Sequence, residues 1–496
     1  MKTKHDDIYW MMIWRQFYKH RLGRWALWVV IAFCIVGIYA PFLAASKPFV
    51  VQYDGKWYFP LFRYLFFPGY YTKGLDIFFN LLIFTAPLTI LAIYFWRHHV
   101  RRLMMAVSLL FCVQMVLFVF FAFGPSTDPA FDATLSSQRQ QALRTHPFPT
   151  WDFDLHYMND YAKLNLVLRY QLRWEQQQRL AKYAVDPKTM PTLWQRQRNN
   201  EDTEIQRQQA ALEASEKNSP TYYNLKASLA YILERRQWIE QQQSLLHHEI
   251  MPLLRHFHWE DDAGGDQSFN KRLPFWELTR ITRKDLMAAL IFGVRISLVV
   301  GVLAVSLALI IGLPVGAYAG YYGGRFDIII SRLLEIWEAM PTFFMLLMVV
   351  AITQSKSIFL VIAVIGIFGW TTFSRYIRGE FFKQRNLPYI EACRALGFQD
   401  SHIMFSHIMP NAIPPLLTLL PFAIMGAITS EAGLSFLGLG EEGSCSWGVL
   451  MDEGRSAFPG ESYLLWPPAI LLTVLLVAIA LVGDAIRDAL DPKMHL

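Results

Sequence analysis

Five uninterrupted apolar stretches constrain this chain more than any other feature. They are Trp25–Ala44, Ile77–Trp96, Leu103–Phe123, Ile296–Tyr318 and Leu464–Val482. Each is close to the roughly 20 residues a helix needs to cross the hydrocarbon of a bilayer. Backbone polar groups find no water there, so a helix, which bonds them internally, is the form expected. Three further stretches are interrupted: Leu333–Ile352 holds Glu335, Glu338 and Pro341, Ile358–Phe373 is short, and Ile413–Thr429 holds three prolines. A soluble core could bury these three instead, but the five clean spans leave little such core to join. The expected fold class is an all-α polytopic membrane protein of about eight transmembrane helices, with both termini on one side.

The remaining composition agrees. Charged residues make up 17% of the 496 residues, against about 25% in soluble domains. A 54% hydrophobic content excludes disorder, and four cysteines exclude a disulfide scaffold. The first span is too long for the apolar region of a cleaved signal, and Pro41-Phe42-Leu43-Ala44 is a poor cleavage site. No lipidation motif is present.

A formal charge of +6 suggests nucleic acid only if it gathers on one polar face. It lies instead in short flanks of the spans, where Lys and Arg mark the cytoplasmic side. Residues 1–24 carry six basic residues against Asp6 and Asp7, and residues 97–102 carry three with no acid. The loop 376–410 carries Arg378, Lys383, Arg385 and Arg394, whereas 434–464 holds five acids and only Arg455. Residues 47–76, with Lys47, Lys56, Arg63 and Lys73, dissent. The majority predicts a multi-pass inner (cytoplasmic) membrane protein with both termini cytoplasmic. Its surroundings are the lipid bilayer, and no nucleic acid is expected.

Within 25–124, three spans enclose a β-hairpin near 48–60, because Asp54-Gly55 between two β-prone runs suits a type I′ turn. Residues 125–280 lack a spanning stretch and have a near-neutral, soluble composition of 19 basic and 20 acidic residues. Leu155–Tyr183 and Thr221–His256 read as helices, so the insertion is expected to be a helical extracytoplasmic hairpin or small bundle. It would serve as a docking surface for an external partner or as a packing extension, with equal support for each.

Several motifs for chemistry fail. Gly55-Lys56 lacks the earlier glycine of a phosphate-cradling loop, and His248-Glu249 has Pro252 where a zinc-protease helix needs its second histidine. Gly433-Leu434-Ser435-Phe436-Leu437-Gly438 has one residue too many for a nucleophile elbow. Cys34, Cys112, Cys393 and Cys445 fall in different compartments. No catalytic residue, metal site or bound cofactor is expected.

Gly312, Gly316, Gly320 and Gly324 recur every fourth residue, which bares one helix face for close packing. Further on, Glu391-Ala392-Cys393-Arg394 is followed by Gly397 and, after His407-Ile408-Met409, by Pro410. Ala392 permits close approach, and Gly397 can end a short helix. This pattern resembles the EAA loop of ABC-importer permeases, with Cys393 replacing the second alanine and His407 standing where many relatives have Ile. Gly433, Leu434, Ser435, Phe436, Gly438 and Gly440, then Trp447-Gly448, and then Gly483, Asp484, Arg487, Asp491 and Pro492 are similar to the C-type subunit of dipeptide/oligopeptide permeases. The hairpin at Lys47-Pro48 through Pro60 resembles the subgroup importing microcin C and longer peptides.

The resemblance covers 285–496 closely and 10–76 loosely. It does not cover the second and third spans or residues 125–280. Where relatives begin their core with a Gly-Thr-Asp…Gly-Arg-Asp element, only Asp285 matches. The resemblance implies a permease core of the first and last five spans, with 376–410 as the loop coupled to ATPases. It implies a second homologous permease, two cytoplasmic ATPase subunits using ATP and Mg, and an extracytoplasmic peptide-binding protein. This chain would itself perform no bond chemistry. The rival readings are an ion-driven secondary transporter and a membrane scaffold presenting 125–280. Against the first, Glu335, Glu338, Glu431 and Asp484 are expected near span ends.

Overall fold

A computed structural model describes residues 13–71, 73–96, 100–125, 127–145, 149–181, 205–215, 217, 219–255, 285–441, 443–456 and 465–490. The elements run α1 (Arg21–Ile38), β1 (Val50–Tyr53), β2 (Lys56–Tyr58), α2 (Gly74–Trp96), α3 (Val100–Phe123), α4 (Ala133–Leu143), α5 (Asp160–Ala181), α6 (Pro220–Gln243) and β3 (Leu246–Ile250). After them come α7 (Leu286–Tyr322), α8 (Gly324–Ala339), α9 (Thr342–Thr353), α10 (Ile358–Gln384), α11 (Pro388–Ala395), α12 (Met409–Leu417), α13 (Leu420–Leu434), α14 (Trp447–Ser456) and α15 (Trp466–Leu490). The chain divides into two compact units, Ile38–Ile291 and Met1–Gly37 with Phe292–Leu496.

Among the described residues, seven helices are long and apolar enough to cross a membrane, or eight if α8 and α9 form one span bent by 75°. The protein is a helical, multi-pass membrane protein, with one small sheet among the described residues. Three span boundaries differ from the sequence reading. Ile358–Phe373 is the start of a helix of 27 residues, α10. Ile413–Thr429 is not one span: Pro414 and Pro415 lie in α12, and the crossing segment is Leu420–Leu439. A proline lacks the N–H an interior turn needs but fits a helix start, and Pro421 opens α13. Leu333–Ile352 is likewise broken, at Met340-Pro341.

Within Ile38–Ile291, β1 pairs with β2 through Asp54-Gly55, whose φ angles of 48° and 74° are both positive. The sheet order is β2-β1-β3. The segment read as one helix over Thr221–His256 ends at Gln243 and re-enters as β3, which satisfies its backbone groups on β1. A register shift there leaves His248 at φ 51°, with Nδ1 3.2 Å from the Gln52 amide oxygen. One face of the sheet buries Val51, Tyr53 and Tyr58 against Leu164 and Leu168 of α5.

Three of the four dissenting basic residues find partners in this unit. Lys47 donates to Asn165 at 3.1 Å, Lys56 lies 3.4 Å from Asp160, and the Arg63 guanidinium sits 4.4 Å from the Tyr161 ring. All three partners are on α5. In the membrane hairpin of α2 and α3, Thr85 donates to Gln114 at 2.8 Å, so two polar side chains satisfy each other between apolar helices.

In the other unit, α1 and α15 approach closely, since a Cβ on Gly23 would lie 2.2 Å from the Ala485 Cβ. Arg295 of α7 is fully buried and donates through Nε to the Gly37 carbonyl at 2.7 Å.

Candidate functional site

Helix α10 ends where Leu387, placed before a proline, is turned into extended backbone with ψ 147°. Pro388 then opens α11, which has only eight residues. Ile390 alone is buried; Glu391, Ala392 and Arg394 are exposed and Cys393 is half-buried. The helix closes in a Schellman motif: Gly397 donates to the Arg394 carbonyl at 2.9 Å and Phe398 to the Cys393 carbonyl at 3.1 Å. That closure requires the left-handed backbone Gly397 adopts, at φ 77°. Pro410 lies farther along, in the first turn of α12.

Apolar side chains surround this segment in the open. Leu396 is 74% exposed, and Leu387, Phe398 and Phe405 are also exposed. Burying them against a partner would be favourable.

The segment is fastened to the end of α7. Tyr321 donates its hydroxyl to Asp400 at 2.6 Å, and the Arg394 guanidinium lies 5.2 Å from the Tyr321 ring. Arg385 donates to the Gly320 and Tyr321 carbonyls at 3.2 Å each. Those carbonyls belong to the last turn of α7, which lacks helical partners and carries the negative end of the dipole. Tyr389 donates to Gln384 at 2.9 Å, and the Phe398 and His407 rings stack at 5.8 Å. Neither Tyr321 nor Arg385 stands out in the sequence as a site residue, because the contacts join positions far apart in the chain.

Helix α7 is in turn packed on α10. A Cβ added at Gly312 would lie 2.6 Å from the Trp370 carbonyl oxygen, at Gly316 2.3 Å from that of Ser374, and at Gly320 2.6 Å from that of Arg378. Backbone therefore meets backbone over two turns. Gly324 does not belong to this face: it follows a break at Gly323, has φ 56°, and a Cβ there would meet nothing within 4 Å. Its spacing continues the stripe, but the helix does not. Helix α8 is instead pinned to α10 by ion pairs between Asp327 and Arg378 and between Glu338 and Arg375.

The motif residues from Leu434 to Gly448 gather around the end of α13. Leu434 and Ser435 are buried, Phe436 is half-buried with the Arg455 guanidinium 5.5 Å from its ring, and Gly438 has φ 79°. A Cβ on Gly440 would lie 2.6 Å from the Ser435 Oγ, and one on Gly448 2.4 Å from the Ala432 carbonyl oxygen. Trp447 is buried beside Gly293. Gly483 packs against Pro421 and Phe422, while Asp484 and Arg487 are exposed. Asp491 and Pro492 lie outside the described residues.

Glu431 departs from the expectation of a span-end position. It stands inside α13, 1% exposed, and its Oε1 accepts hydrogen bonds from Ser435 at 2.7 Å and Ser446 at 2.6 Å. A span over Ile413–Thr429 leaves it beyond the end, whereas the crossing segment Leu420–Leu439 takes it in. Among the described residues, no three His, Cys, Asp or Glu side chains are placed to hold a metal ion.

A family described as "Binding-protein-dependent transport system inner membrane component" matches residues 312–496, and one described as "N-terminal TM domain of oligopeptide transport permease C" matches residues 9–60. The oligopeptide transport system permease protein OppC of Bacillus subtilis is 34% identical over 221 residues, 44% of this chain and 72% of that protein. This chain belongs to the binding-protein-dependent transport permeases. Two YejE permeases are also similar to it: the peptidoglycan transport protein of Agrobacterium fabrum, 36% identical, and the inner membrane ABC transporter protein of Escherichia coli, 35% identical. Each alignment covers 44% of this chain, but only 57% and 64% of the YejE proteins themselves. The core shared with the permeases contains α11 and its anchors. The strands β1 and β2 lie inside the 9–60 match, whereas 125–280 falls outside both family matches.

Proposed function

We propose that this permease is the translocating subunit of an ATP-driven importer of peptides or peptide-like compounds. The observation that carries this reading is the exposed, apolar-rimmed α11, fastened through Arg385, Arg394 and Tyr321 to a helix pair whose backbones touch. A push on α11 would reach α7 and α10 with little slack. The relatives named for oligopeptide and peptidoglycan transport support a peptide-like cargo.

In this reading α11 lies in a groove of one of two cytoplasmic ATPase subunits, with Glu391 and Arg394 at the rim. A second homologous permease completes the pathway, and an extracytoplasmic binding protein delivers the cargo. ATP and Mg are used by the ATPases, and this chain makes and breaks no covalent bond. Both termini are cytoplasmic, as the basic flanks indicate. Transport against a gradient requires ATP binding to favour one orientation of the spans by a differential free energy.

The buried Glu431 is the one observation that favours an ion-driven mechanism, because ionisable residues inside spans often serve ion pathways. Purification from membranes separates the readings. Recovery of two ATPases and a second permease with this chain is the expected result, and its recovery alone would favour the ion-driven carrier. Glu391→Lys and Gly397→Pro should then insert normally, hydrolyse ATP in the assembled complex, and import no peptide. Undiminished uptake in both would overturn the role given to α11.

A further inference from the structure

We infer that Glu431 is a positioning residue that clamps α14 onto α13, so that the two helices move as one body. Glu431 stands eleven residues after Leu420, which is about 16 Å along the helix at 1.5 Å per residue. That is about half of a 30 Å hydrocarbon core. A carboxylate so placed is costly unless something specific holds it.

The holder is the start of α14. The chain leaves α13, turns at Gly440, and doubles back so that Gly448 rests on Ala432 and Ser435. This brings the Ser446 hydroxyl to Glu431, and the same Oγ accepts the Gly448 N–H at 3.2 Å. The relay runs from the Gly448 N–H, near the start of a ten-residue helix, through one hydroxyl, to the Glu431 side-chain oxygen. A helix N-terminus has N–H groups without helical partners, so the Ser446 hydroxyl serves both the start of α14 and the Glu431 oxygen. Ser435 supplies the second hydroxyl from one turn along α13 itself. Glycine at 440 and 448 is what lets the two segments come this close.

The clamp brings Ser435, Gly440 and Gly448 into one contact. If α13 tilts during transport, α14 is carried with it and need not be reset separately. That consequence rests on the importer reading, whereas the clamp itself does not.

The test uses Cys445, which is buried beside Ser446 and not in a disulfide. The full chain in its membrane is treated with N-ethylmaleimide, and modification of each cysteine is followed by mass spectrometry. Release of α14 should speed labelling of Cys445 about tenfold in Glu431→Ala, because local opening controls access to a buried thiol. Ser446→Ala should speed it about threefold, leaving Glu431 bonded to Ser435. Glu431→Gln keeps the accepting oxygen and should label near the wild-type rate. Cys34, in α1, reports general unfolding. Cys445 labelling within about twofold of wild type in both alanine variants would overturn the clamp, as would an equal rise at Cys34. If Glu431→Ala fails to accumulate, Ser446→Ala decides alone. Labelling requires no transport, so a failed uptake assay would leave the clamp standing.

Discussion

Tyr321 and Asp400 are joined by a 2.6 Å hydrogen bond across 79 residues of sequence. It closes a loop in which the last turn of α7 holds the far side of the exposed segment whose near side Arg385 also holds. Tyr321→Phe removes this bond and leaves the ring beneath Arg394. The loosening should be about 1 kcal/mol, typical of a single hydrogen bond. Amide exchange at residues 396–402 should then rise about fivefold, and unchanged protection would show that the bond does not restrain the loop.

The glycines on either side of the break between α7 and α8 should respond differently to alanine. At Gly316 a methyl group would sit 2.3 Å from the Ser374 carbonyl oxygen, which forces the helices apart at a cost of about 1–3 kcal/mol. At Gly324 there is room, and only the φ of 56° resists, at about 1 kcal/mol. Thermal aggregation in detergent should therefore begin earlier in Gly316→Ala than in Gly324→Ala. The reverse order would mean that α7 and α10 do not pack as described.

Gly397 is constrained by backbone angle and not by space, since a Cβ there meets nothing within 4 Å. Asparagine tolerates the left-handed region and β-branched residues do not. Peptide uptake should survive in Gly397→Asn and fall at least about fivefold in Gly397→Val, where the strain is of order 1–2 kcal/mol. Equal activity of the two would remove the Schellman closure from the coupling role.

Inside the insertion, Asp154 is buried and accepts hydrogen bonds from Arg139 at 2.8 Å and from Tyr231 at 2.8 Å. Asp154→Ala should destabilise this region by about 2–3 kcal/mol, as expected when partners of a charged acceptor are orphaned. Limited proteolysis of the full chain should then cut between α4 and β3 much faster, with the spans intact. Lys56→Ala, which breaks a pair exposed on both sides, should change cleavage little.

Alkali should loosen the sheet. Burial pushes the Tyr53 hydroxyl up to about 12, with Asp54 and Asp160 adding to it. Burial likewise pushes Tyr58 up to about 12, helped by its hydrogen bond to Asp160. An unfolded tyrosine titrates near 10, so the folded state holds these protons more tightly. The resulting stability is complete below about pH 10 and is lost as pH rises towards 12. Tyrosinate absorbance in this window should coincide with the onset of cleavage in the insertion, and titration of both tyrosines near 10 with the sheet intact would contradict their burial.

Much of this structure was legible in local sequence. Apolar runs at 77–96 and 103–123 have no competing form in a bilayer, and Asp54-Gly55 acts over two residues. What escaped depends on contacts between distant positions. Nothing local to Leu246–Ile250 shows that β1 is waiting to pair with it, and nothing near Asp400 points to Tyr321. The four-residue spacing of Gly312, Gly316, Gly320 and Gly324 implied a continuous helix, and the break at Gly323 was hidden in the same pattern. Glu431 was visible as a single charge in an apolar run; it was placed outward because the prolines of α12 were counted into the span.

The central position of β1 sets an order of events during synthesis. Its second neighbour, β3, lies nearly two hundred residues downstream, beyond the α2–α3 hairpin and the helices of the insertion. As the chain emerges, residues 50–58 can form only a two-stranded hairpin, which is marginal by itself. The hairpin must persist with one edge open until α2, α3 and the helices α4 to α6 have been made. Only then does β3 arrive to cover that edge. The protein thus spends much of its own biogenesis with a sticky strand exposed, and the period in which it is most open to capture by a chaperone, or by another nascent copy, ends when Ile250 docks against Val50.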